Sequence, residues 1–367
     1  MSRKVRILVC LLFLVCISNS GHAVIINSAT GTENTTPPET FPYWDAIGLV
    51  GGGSCVHLGD GYFLTAYHVK ALDNPSTVTV GGQTYNIMST SWYRPPVMSN
   101  SADLAVFRTP ATPSVSASNN MIAADATLDT DTMLWAMGSG YNRASAKTYW
   151  NSSWVEVTLP RSYKYSGYKW ATSGRSKRWG TNTIDFNYQW MDSGYGNTLT
   201  YKCKFDSNGG SNEAAVAIGD SGGPVYANVD GAWQLSGIII SRDLYLNQPT
   251  YTSVYGNSSY FGDLAFYRTQ VLPTPGDATR DGNVDFSDYL AMSNHFGQGP
   301  LVTLAEGDFN GDYTVNFADY LVFTLNFGSS GALGGSSGGI AGESVPEPMT
   351  CLLLLLGAAG VSLRRRG

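Results

Sequence analysis

The sequence predicts a mainly β fold, an antiparallel sandwich or pair of barrels, followed by a small all-helical acidic module. Three observations carry this. Between Val24 and Leu272, short apolar runs such as Gly61-Tyr62-Phe63-Leu64-Thr65 and Ser236-Gly237-Ile238-Ile239-Ile240 are punctuated by Gly, Asn, Ser and Pro, as strands joined by tight turns are. The hydrophobic fraction is 43% and the charged fraction 14%, which suits a β-rich extracellular protein better than a helical cytosolic one. After the linker 273–275 the pattern changes to two acidic, helix-compatible segments, Gly276-Asp277 through Phe296-Gly297 and Gly307-Asp308 through Phe327-Gly328. The run from Phe261 to Val271 has apolar residues at helical spacing and is expected to close the β domain.

Both ends read as addresses. Arg3, Lys4 and Arg6 precede an apolar run from Ile7 to Ile17, and Gly21-His22-Ala23 offers the small residues of a cleavage site, so residues 1–23 are read as a signal peptide and Val24 as the mature start. A Gly/Ser-rich spacer, 329–344, leads to Val345-Pro346-Glu347-Pro348, an apolar stretch from Cys351 to Leu363, and Arg364-Arg365-Arg366. This tail, 345–367, resembles the bacterial PEP-CTERM sorting signal, which implies a sorting enzyme as partner, removal of the tail, and a secreted or cell-envelope destination. A transmembrane helix is also expected, although the apolar stretch is shorter than a bilayer span. The net charge of −6 disfavours nucleic acid as a partner. Outside the end segments only Cys55 and Cys203 remain, compatible with one disulfide or with two free thiols.

The chemistry-bearing residues lie in three separated segments. Gly219-Asp220-Ser221-Gly222-Gly223-Pro224 places a hydroxyl nucleophile in a turn where the amides of Gly219 and Ser221 can converge on one developing oxyanion. A serine hydroxyl needs a base. Of the two histidines ahead of the linker, His68 follows an apolar strand in Leu64-Thr65-Ala66-Tyr67-His68, whereas His57 has no such setting. Asp103, at the head of Leu104-Ala105-Val106-Phe107, is the acid that would orient the imidazole.

These segments, in the order His68, Asp103, Ser221, resemble those of trypsin-like serine peptidases across most of residues 24–272. The resemblance implies two antiparallel six-stranded β-barrels with the triad between them, a peptide or protein substrate, and hydrolysis through an acyl-enzyme. Tyr67 departs from the usual second alanine. Ala215 stands at the family's pocket base, implying an apolar primary preference, although Glu213 is close by. Ile240 occupies a place in the pocket wall where the family has serine. Val24 lies ahead of His68 at about the family's separation of terminus and base, so its α-amino group is expected to pair with Asp220; a loose N-terminal extension is the alternative. The aromatics between Gly138 and Gly210 are read as packing, and Arg175, Lys177 and Arg178 as a solvated loop.

In the acidic module Asp277, Thr279, Asp281, Asn283, Asp285 and Asp288 occupy the ligand positions of a twelve-residue calcium loop, with Gly282 at its turn. The second copy supplies Asp308, Asn310, Asp312, Thr314, Asn316 and Asp319, with Tyr313 in place of the glycine. Aspartate closes each loop where a helix starts, so the pair resembles a type I dockerin, implying two Ca2+ sites and a cohesin-like partner; a calcium-stabilised spacer is the plainer alternative. Two functions follow as expectations: a serine endopeptidase held at the envelope, or an inactive trypsin-like scaffold serving adhesion or assembly.

Overall fold

The computed structural model describes residues 24–329, apart from 98, 99, 119, 123–125, 127, 273, 280–282, 300, 301, 311 and 313; the signal segment, the spacer after Ser329, the sorting tail and the loop positions Gly282 and Tyr313 lie outside the described residues. The β pattern resolves into two main antiparallel sheets. The first contains β1 (Ile47–Val50), β2 (Gly53–Gly59), β3 (Tyr62–Thr65), β4 (Thr77–Val80), β5 (Gln83–Asn86) and β6 (Ala105–Arg108), in the order β5-β4-β1-β2-β3-β6. Every residue of β3 and β6 is buried, so these strands are covered on both faces. Phe63 of β3 stacks on Phe107 of β6 with ring centres 5.1 Å apart.

The second sheet contains β7 (Met133–Gly138), β8 (Arg178–Thr183), β9 (Phe186–Asp192), β10 (Asn197–Lys204), β11 (Pro224–Val229), β12 (Ala232–Arg242) and β13 (Ser258–Asp263), in the order β8-β7-β11-β12-β13-β10-β9. Both sheets are curled and strongly twisted, a double-sheet architecture of the chymotrypsin type. The expectation of two closed six-stranded barrels is met only at this coarser level. The second sheet carries seven strands, because β8 adds to β7 over Met133–Gly138, and the outermost strands of each sheet are not paired with one another among the described residues.

A smaller sheet is organised by the long strand Tyr165–Arg175, which pairs with Tyr141–Arg143, Thr148–Trp150 and Thr252–Val254. Trp150, Tyr168 and Trp170 are buried there, as packing requires, while Tyr163 and Trp190 remain exposed. The solvated-loop reading of the basic cluster is overturned: Arg178 has no exposure, Lys177 donates to the carbonyls of Trp44 and Ile47, and Arg175 reaches the nucleophile loop. Arg178 belongs to a ladder strand, so its side chain is carried into the interior by the sheet itself.

Two helices bear on the site. α1 (Tyr67–Asp73) begins directly after β3, and α2 (Leu264–Val271) starts where the Asp263 carboxylate accepts from the Ala265 amide. Phe261 and Gly262 therefore belong to β13, and the helix is shorter than its apolar spacing implied. In the acidic module, α3 (Phe286–Asn294) and α4 (Phe317–Asn326) each open on a capping box, Asp285 with Asp288 and Asn316 with Asp319. Val284, Met292, Val302, Val315 and Phe323 form its core.

The expected transmembrane helix is not supported: among the described residues no helix is long and apolar enough to cross a membrane. Of the two alternatives for the cysteines, the structure has two buried free thiols, Cys55 in β2 and Cys203 in β10, with burial pushing both thiols up.

Candidate active site

The apolar strand β3 ends at Thr65, and the switch to helix at Tyr67 fixes His68 in the first turn of α1. Asp103, without exposure, accepts from the His68 backbone amide at Oδ1 and from His68 Nδ1 at Oδ2, both at 2.8 Å. Two carboxylate oxygens thus hold one residue by backbone and ring together, which fixes the imidazole's orientation as well as its distance. Tyr67 does not crowd the base; its ring lies under the Arg94 guanidinium, 3.4 Å from the ring centre.

A residue that sequence reasoning missed completes the acid's surroundings. The Ser193 hydroxyl donates to Asp103 Oδ2 at 2.7 Å, and the Asp103 amide donates to Thr198 Oγ1 at 2.9 Å. Ser193 sits in the turn between β9 and β10, where Asp192-Ser193-Gly194 reads as nothing more than turn chemistry. Only the pairing of those strands brings it to Asp103.

The nucleophile loop is held through its backbone. The Ser54 hydroxyl and Arg175 Nη2 both donate to the Gly219 carbonyl, at 3.0 and 3.1 Å, and the Ser54 amide donates to the Ser221 carbonyl at 2.8 Å. Gly219 has φ +94°, and a Cβ there would meet Arg175 Nη2 at 2.7 Å, so only glycine combines this conformation with that contact. Gly222 and Gly223 donate to the carbonyls of Ile239 and Asp220. Among the described residues the amides of Gly219 and Ser221 have no protein acceptor, the condition for serving an oxyanion. His68 and Ser221 line one cleft of about 220 Å³, but no hydrogen bond joins them among the described residues.

Behind the loop, Asp220 is buried. Its oxygens accept from the amides of Gly140 and Ala217 at 2.8 and 2.7 Å and from the Val24 nitrogen at 3.2 and 3.3 Å. Burial pushes this carboxyl up to about 6, against the opposing pull of those amides and of Arg175. Val24, Ile25 and Ile26 have no exposure, and Ile25–Ile26 pair with Ala215–Ala214, so the segment after residue 23 is docked, not loose.

That pairing also corrects the pocket base. Ala215 packs in a cluster with Ile25, Tyr168, Trp170, Phe205 and Ala217, and the cleft wall is formed by Val216, Ala217 and Ile218 instead. The ladder with Ile25 consumes Ala215. Glu213 is likewise absent from the wall; it accepts from the Asp206 amide, and burial pushes it up to about 7.

In the acidic module Asp277 and Asp288 of the first loop and Asp319 of the second are fully buried, and Asp308 is nearly so. Asp288 accepts from the amides of Thr279 and Asp285, and Asp319 from those of Phe309, Asn310 and Asn316, so each closing aspartate draws its own loop together. Asn310, Asp312, Thr314 and Asn316 bond to one another. Asp281 lies outside the described residues. Among the described residues no three acidic, histidine or cysteine side chains converge on a metal position. The buried carboxylates and all-oxygen donor set nevertheless suit a hard cation in chemical type.

Residues 275–327 match the dockerin type I domain. This is a dockerin-type domain. No curated protein shows significant similarity to the chain. Among solved structures, a mutant of human heparin binding protein is similar at 17% identity and a TM-score of 0.43, covering 68% of this chain and 96% of that one. The active form of a protease from M. tuberculosis is similar at 14% identity and a TM-score of 0.38, covering 62% of this chain and 80% of that one. Identities and scores this low carry nothing about chemistry. The chain combines two curled antiparallel sheets with a C-terminal dockerin-type domain.

Proposed function

We propose that the chain is an exported serine endopeptidase in which Ser221 is the nucleophile, His68 the base and Asp103 the orienting acid. The observation that carries this is the doubly bonded His68–Asp103 pair, whose His68 lines the same cleft as Ser221. With Nδ1 engaged by Asp103, His68 Nε2 is the nitrogen left to take the Ser221 proton. Attack on a substrate carbonyl then gives an oxyanion that accepts from the Gly219 and Ser221 amides. His68 returns the proton to the leaving amine, and it next activates the water that releases the acyl group.

Export supplies the second element of the reading. Cleavage after Ala23 would turn the Val24 nitrogen into an α-ammonium group beside the Asp220 carboxylate, exchanging an amide hydrogen bond for an ion pair behind the oxyanion loop. In the dockerin-type domain, Asp277, Thr279, Asn283, Asp285 and Asp288 would hold one Ca2+, together with Asp281. Asp308, Asn310, Asp312, Thr314, Asn316 and Asp319 would hold another, the metal tying each loop to its helix. A cohesin-like protein is the partner such a domain fits, and the tail after residue 344 would direct the chain to the envelope.

A second reading, an inactive scaffold for adhesion or assembly, is favoured by the lack of a His68–Ser221 hydrogen bond. Such bonds are often long without substrate. A fluorophosphonate probe separates the two: the folded, calcium-loaded protein should be labelled and Ser221→Ala should not. Failure of the folded protein to label would overturn the peptidase reading in favour of the scaffold.

A further inference from the structure

The cleft contains a cation that the acyl-transfer chemistry does not use. Arg242, the last residue of β12, lines the same wall as Ile239, Ile240 and Ser241 and shares the cleft with His68 and Ser221. A register irregularity between Ile239 and Ser241 re-aims the strand just before it. Arg242 Nη1 donates to the Thr252 carbonyl at 3.0 Å, and the guanidinium carbon stands 4.5 Å from the centre of the Trp170 ring. A guanidinium has five N–H donors, and this one has a single protein acceptor among the described residues.

No carboxylate forms an ion pair with Arg242 among the described residues. The neighbouring Asp243 is engaged elsewhere, by the Ser258 amide, the Tyr260 hydroxyl and Lys202. Arg143 and Arg175, by contrast, are each surrounded by several carbonyls. Desolvation lowers Arg242 to about 10, so it stays charged at neutral pH. A stacked, fork-shaped cation with no carboxylate ion pair among the described residues, beside the apolar side chains of Val216, Ala217, Ile218 and Ile239, fits a carboxylate better than any other side-chain end.

We propose that Arg242 makes this cleft select a peptide whose bound side chain carries a carboxylate, aspartate or glutamate. This rests on the peptidase reading of the Ser221 site and replaces the apolar preference implied by Ala215. The test is binding, which needs no turnover. The full-length Ser221→Ala protein is titrated with blocked, fluorescein-labelled tetrapeptides that differ only in carrying Glu, Gln or Leu at the cleft residue. The Glu peptide is expected to bind at least about tenfold tighter than the other two, the worth of one charge-assisted pair. In Arg242→Gln that preference should vanish, and in Arg242→Lys, which keeps the charge if the Trp170 stacking matters for folding, part of it should remain. Equal binding of Glu and Gln peptides, a preference unchanged by Arg242→Gln, or no peptide binding at all overturns the proposal. Fluorophosphonate labelling of the protein with Ser221 intact reports separately on the peptidase reading.

Discussion

Asp103 and Ser221 are held in opposite ways. Asp103 accepts from the His68 ring and amide and the Ser193 hydroxyl at its oxygens, and its own amide donates to Thr198 Oγ1. Ser221 owes its place to its loop: Ser54 and Arg175 hold the Gly219 carbonyl, Ser54 holds the Ser221 carbonyl, and Asp220 anchors the loop from behind. The Asp103 half is organised largely by side chains that substitution can remove one at a time. The Ser221 half depends on backbone conformation, with the Val24 nitrogen and the Ala217 amide bonded to Asp220 behind the loop.

The largest losses are expected at the proposed chemical centre. Ser221→Ala and His68→Ala should each lower kcat by about 10⁴-fold or more, and the double variant little further, because the two act as a unit. Asp103→Asn should cost about 10⁴-fold through loss of imidazole orientation. Steady-state hydrolysis of a peptide series measures all three, and near-additive losses would show that the residues do not form one machine.

The backbone half breaks next. Retaining residues ahead of Val24, or substituting Asp220→Asn, should cost about 10²- to 10³-fold in kcat, the scale of a misplaced oxyanion donor. Active-site titration should fall in parallel. A pH effect accompanies this. In the uncleaved chain the Asp220 carboxyl is raised to about 6 from an unfolded value of about 3.9, so the fold binds the proton more tightly than the unfolded chain does. Its stabilising contribution is complete below about pH 4 and is lost as pH rises through about 6. The Tm of the extended chain should therefore fall across that window relative to its Asp220→Asn variant; parallel Tm curves would remove Asp220 as the source.

A smaller loss sharpens the contrast. Ser193→Ala should lower kcat about tenfold with KM nearly unchanged, since one charge-assisted hydrogen bond to Asp103 is lost. Ser193→Thr, which keeps the hydroxyl, should recover most of it.

The segments around His68, Asp103 and Ser221 and the acidic repeat of the dockerin-type domain are legible because each pattern is local, with strand, turn and polar residue within a few positions. Ser193 and Arg175 are not, since each reaches the site only through pairing between distant strands. Ala215 was misplaced for a related reason. Its position relative to Ser221 is local, but its burial is decided by Ile25, far away in the chain. Arg178 reads as solvated in a Ser-Lys-Arg run, yet a ladder with β7 carries it inside. The two sheets were expected from alternation and turns, but the seventh strand of the second was not, because nothing in Arg178–Thr183 distinguishes an added ladder strand from a loop.

The smallest effect concerns the second acidic loop, where one contact couples it to the β domain. Arg108, at the end of β6, approaches Asp308 Oδ2 at 3.4 Å, and both side chains are almost wholly buried. Asp308 stands at the first ligand position of its loop, so an oxygen that would serve the metal already faces a cation from the β domain. A guanidinium beside a cation-binding carboxylate opposes the bound charge, and releasing it should favour the metal. Arg108→Ala should therefore tighten Ca2+ binding at the second loop by at most about tenfold and leave the first unchanged. Calorimetric titration of the full-length protein against Asp308→Asn and Asp277→Asn variants assigns the two sites. Weaker binding in Arg108→Ala would mean that the arginine shapes the loop for the metal instead of competing with it.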